Sequence, residues 1–86
     1  MDFQENNQAF YRRLDDLCGQ LREVGLGRDA RRIEYLLHEV AWTSAGELFL
    51  ELQNAIERTL ASEGSRKMPT AIRQELENDL QLLRTI

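Results

Sequence analysis

Phe3, Phe10, Leu17 and Val24 recur every seven residues, and Leu14 and Leu21 fall four residues after the second and third of them. Side chains at those separations share one face of a helix turning about 100° per residue, so the pattern predicts one amphipathic helix over about 3–24. Tyr11 and Cys18 flank the stripe and widen it, as expected of a bundle member rather than one strand of a narrow coiled coil. Gly25 follows the last periodic residue and can take the left-handed conformation that closes a helix, with Leu26 supplying the apolar contact that accompanies such an end.

The pattern restarts with Ile33, Leu36, Leu37 and Val40, which predicts a second helix over about 29–42 entered at Asp29. Leu48, Phe49, Leu52, Ala55, Ile56 and Leu60 form a third stripe over about 45–61, and Gly64 repeats the stop signal. Between the two, Thr43-Ser44-Ala45-Gly46-Glu47 sets a serine three residues before a glutamate, a spacing at which each side chain can satisfy a free amide of the new helix. Ser65-Arg66-Lys67-Met68 reads as a polar connection. Pro69 suits the first position of a helix, where its missing amide costs nothing. Ile72, Leu76, Leu80 and Leu83 make a fourth stripe over about 69–85, extended sideways by Leu82 and Ile86. With no strand pattern, repeat or low-complexity tract, the expectation is an all-α chain: a small antiparallel four-helix bundle, one domain spanning 1–86.

The second helix has a second face. With Ile33 at zero, Arg31, Tyr35, His38 and Trp42 point roughly the opposite way, and arginine and ring-bearing residues are those enriched at binding hot spots. Trp42 has two settings open to it, folded under the corner or presented on that face. Leu50 points away from the Leu48, Leu52 and Ala55 stripe of the third helix, among Gln53, Asn54 and Glu57. The second helix is also too short to cover the first, which predicts that Phe3 and Phe10 are left exposed or covered by another chain. Arg31, Tyr35, His38, Trp42 and Leu50 are therefore the candidate protein interface, and a homodimer is the expected assembly.

Charge sharpens the choice of partner. The chain of 86 residues has a formal charge of -4, which argues against phosphate binding as its main business. Residues 33–64 set Arg58 against Glu34, Glu39, Glu47, Glu51, Glu57 and Glu63, an acidic stretch able to attract a basic protein. Arg12, Arg13, Arg22, Arg28, Arg31 and Arg32 gather toward the first corner, but acidic residues are interleaved with them, so surface ion pairs are expected and nucleic-acid binding is not. Cys18 has no second cysteine to pair with and sits at the edge of an apolar stripe, as a small core hydrophobe would. No signal-like start and no long apolar run is present, so the expectation is a cytoplasmic protein with no membrane partner.

Catalytic chemistry has little to use. The one histidine and one cysteine lie on different predicted helices facing different ways, and neither the ligand sets of zinc or di-iron sites nor a glycine-rich phosphate loop is present. No cofactor or metal and no enzymatic activity are expected. His38-Glu39-Val40-Ala41 is similar to the start of the motif of histidine phosphotransfer domains, four-helix bundles with an exposed mid-helix histidine. That resemblance implies a phosphocarrier using His38, but the family has a lysine and a glycine where this chain has Ala41 and Trp42. In size and charge the chain also resembles the acidic four-helix immunity proteins of nuclease bacteriocins, which implies a basic partner. Their tyrosine pair followed by proline is absent, so no residue carries over.

Overall fold

The computed structural model describes residues 3–42 and 44–85, with side chains from Gln8 onward, so Phe3, Thr43 and Ile86 of the patterns above lie outside the described side chains. Helix α1 runs Phe3–Glu23 and closes as its sequence predicts. Gly25 takes φ +87°, its amide bonds to Arg22 O at 3.2 Å, and the Leu26 amide reaches Leu21 O at 2.8 Å. This double closure satisfies carbonyls left open at a helix end and buries Leu26 beside the core.

Helix α2 spans Gly27–His38, starting two residues earlier and ending four residues sooner than the 29–42 expected from periodicity. The early stop has a definite cause. Continuing the helix would bond the Val40 amide to Leu36 O, but the Trp42 indole N–H takes that carbonyl at 2.7 Å. One side-chain bond thus replaces a backbone bond and brings a large ring against the core.

Helix α3 spans Ala45–Ala61, and Ser44 caps it, its Oγ accepting from the Glu47 amide at 3.2 Å. Buried Thr59 returns its hydroxyl to Ala55 O at 2.9 Å. The connection that follows is more structured than a polar loop. A short 3-10 helix spans Glu63–Lys67, and Ser65 and Met68 are buried. Gly64 explains how it fits, because a Cβ built there would meet Leu26 Cδ2 at 2.6 Å, so the turn presses on the α1–α2 corner where side-chain bulk is excluded. Helix α4 spans Thr70–Thr85. Pro69 stands just before it, its carbonyl accepting from Arg73 N at 3.0 Å, one position earlier than expected.

The helices pack in a ring, α1 on α2, α2 on α3, α3 on α4 and α4 back on α1. Short connections make successive members antiparallel, giving the four-helix bundle expected from the sequence, with no strand among the described residues. Leu14, Leu17, Leu21, Ile33, Leu52, Ile56 and Leu76 are sealed at its centre. Phe10 is 8% exposed, which overturns the expectation that the shortness of α2 leaves it for another chain. In this topology the start of α3 and the end of α4 share its end of the bundle, beyond the end of α2. No helix of the described residues is long and apolar enough to cross a membrane.

Candidate functional site

Of the five candidate interface residues, Arg31, Tyr35 and Leu50 are exposed on the outer face of the α2–α3 hairpin, His38 is exposed but turned toward Asp15 of α1, and Trp42 is not on that face. Arg31, Tyr35 and His38 follow one another at spacings of four and three along α2, opposite buried Ala30 and Ile33, and all three are exposed. Leu50 is opposite Leu48, Leu52 and Ala55 on α3 and is 57% exposed, with Tyr35 at 52%. Leu36 and Glu51, each next in sequence to one of these, line a common groove of about 600 Å³ between the two helices, with Tyr35 and Leu50 on the outward side of their helices. Among the described residues, Leu82 is the other large apolar side chain that is exposed. Trp42 is half-buried under the corner, committed by its bond to Leu36 O.

The charge on this face is uneven. Exposed Arg28, Arg31 and Arg32 lie on α2, whereas α3 carries exposed Glu47, Glu51 and Glu57 together with exposed Arg58, which lines the same groove. Part of it is spent within the fold: Arg22 pairs with Glu34, Arg32 with Asp29 at 3.9 Å, and Arg84 with Glu57. These are the surface ion pairs expected from interleaved charges, each of small value to stability.

His38 is the last residue of α2 rather than a mid-helix residue, and its Nε2 lies 2.8 Å from both carboxylate oxygens of Asp15. A carboxylate can only accept, so Nε2 carries the hydrogen and has no lone pair to offer. Cys18 is fully buried, and burial, reinforced by the Asp15 charge and opposed by Arg22, pushes its thiol up to about 12. The thiolate needed for nucleophilic work is thus suppressed. Among the described residues no group of three or more His, Cys, Asp and Glu converges closely enough to hold a metal ion.

A group that sequence reading passed over is Asp79. It stands inside the fourth stripe, three residues after Leu76 and four before Leu83, and is 7% exposed. That position was the available signal, because an aspartate on a core line must be paired, neutral or useful. Burial pushes its carboxyl up to about 6, with Arg13 opposing the rise and Glu75 adding to it.

Comparison of the chain with protein-family models, with curated proteins and with solved structures finds no match.

Proposed function

We propose that this protein acts by association, first with a second copy of itself and then with other proteins, through the outer face of the α2–α3 hairpin and without catalysis of its own. The observation that carries this reading is the exposure of Tyr35 and Leu50, two large apolar groups on adjacent, packed helices. The excess of arginine on α2 and of glutamate on α3 favours a second copy as the first partner. A two-fold axis parallel to the two helices sets α2 of one copy against α3 of the other, the self-complementarity that an isologous contact needs. Tyr35 and Leu50 are the anchors, and Arg31 and His38 form the rim. Trp42 contributes from beneath, by fixing where α2 ends.

Sedimentation at micromolar concentration tests this. The expected mass is twice the 10.0 kDa of the chain, falling to one chain for the Tyr35→Ala, Leu50→Lys double variant with its helical content intact. A wild type that stays at one chain mass overturns the dimer. The phosphocarrier reading is less well supported, since Asp15 engages His38 Nε2.

A further inference from the structure

On the far side of the bundle from the α2–α3 groove, α1 and α4 enclose a cleft of about 400 Å³, a size typical of sites for small groups. Its walls include Arg13 and Asp16 from α1 and Glu75, Asn78, Asp79 and Leu82 from α4. Asp79 is more than nine-tenths buried, yet no described group donates a hydrogen bond to it. None of the sealed side-chain oxygens among the described residues lacks a partner, so the part of Asp79 that stays open is its carboxylate, facing the cleft. Arg13 acts on it across the cleft without closing to an ion pair. A carboxylate set this deep and open only toward the cleft is placed to accept from a donor that enters it.

The chemistry of the walls selects that donor. Three carboxylates against one guanidinium repel an anion. A small metal ion needs several oxygens converging within about 2.6 Å, and the described residues offer no such group. A larger organic cation can span carboxylates spaced apart. Leu82, 45% exposed, adds an apolar wall beside the charged one, and an aliphatic stem ending in a cationic head matches that pairing. We propose that the α1–α4 cleft is a docking site for a basic side chain of a partner protein, arginine in preference to lysine, with its stem on Leu82 and its head group on Asp79. The planar guanidinium can donate to both oxygens of Asp79 and still turn an edge toward Glu75 or Asp16, which a lysine ammonium cannot match.

Amide spectra of the full chain, titrated with a blocked Ala-Arg-Arg-Ala peptide and in parallel with Ala-Lys-Lys-Ala, Ala-Glu-Glu-Ala and spermidine, test the proposal. The expected result is saturable shifts at Asp16, Asn78, Asp79 and Leu82 with the arginine peptide, weaker ones with lysine and none with glutamate. Asp79→Asn, nearly identical in shape, weakens binding by about tenfold or more, Leu82→Ser weakens it less, and Glu51→Gln on the opposite groove leaves it unchanged. With Arg13, Asp16 and Glu75 as the other charges facing Asp79, affinity falls as the pH is lowered through about 6, where Asp79 takes up its proton. Absence of saturable shifts, shifts that survive Asp79→Asn, shifts centred on Glu47 and Glu51, or tighter binding of spermidine than of the arginine peptide would each overturn it.

Discussion

Replacing Asp79 with Asn removes a charge that the fold holds at a loss. Moving a buried carboxyl from its ordinary 3.8 to about 6 means that the ionised form is worse placed in the folded chain than in the unfolded one. With the ordinary value taken for the unfolded chain, the cost is about 3 kcal/mol at neutral pH. Asn keeps the shape but still buries a polar group, so the variant should gain about 1 to 3 kcal/mol, a rise in Tm of about 5 to 15 °C for a domain of this size. The sign with pH follows from the direction of the shift. The folded state holds the proton more tightly, so the wild-type penalty is absent below about pH 4, grows between about 4 and 6, and is constant above that, and the advantage of the variant grows with it. Other carboxylates move both curves together, which makes the difference between the two proteins the quantity to read. Urea unfolding followed by circular dichroism at a series of pH values measures it. The reasoning fails if Asp79→Asn is no more stable at pH 7, or if its advantage persists unchanged at pH 4.

Trp42→Ala removes a half-buried ring and frees Leu36 O, so a loss of about 2 to 4 kcal/mol is expected in urea unfolding, with the dimer mass unchanged when the protein remains folded. Gly64→Ala sets a methyl against Leu26 and should cost about 1 to 3 kcal/mol in the same assay, whereas Gly46→Ala, where a Cβ meets nothing closer than 3.8 Å, should cost no such amount. The Cys18 thiol should resist a soluble disulfide reagent in the native protein and react at the rate of an ordinary thiol once urea unfolds the chain.

The helices were legible because each carries an apolar stripe at helical spacing and ends on local signals whose chemistry is self-contained. Gly25 and Ser44 act where they stand in the chain, and both do what their surroundings suggest. The end of α2 was not legible. Periodicity carried the helix through Val40 to Trp42, whereas a bond between residues six apart, Trp42 to Leu36, decided the matter. The burial of Phe10 was hidden for a related reason, since the helix ends that share its end of the bundle are far apart in sequence and come together only when the ring closes. For the candidate surface, the outward direction of Tyr35 and Leu50 could be read from helical angle, but the groove between their helices required the packing of the hairpin. Asp79 was visible as an aspartate on a core line, although a neighbouring helix had to be in place before that position became a buried wall of a cleft.

Amide spectra recorded while the wild-type protein is diluted from about 1 mM to about 10 µM, a range that spans the dissociation of a micromolar dimer, report directly where two copies meet. The association account predicts concentration-dependent shifts at Arg31, Tyr35, His38 and Leu50, with the amides lining the α1–α4 cleft unmoved. Spectra that do not change on dilution in a protein of single-chain mass, or shifts that gather anywhere but the α2–α3 face, would contradict it.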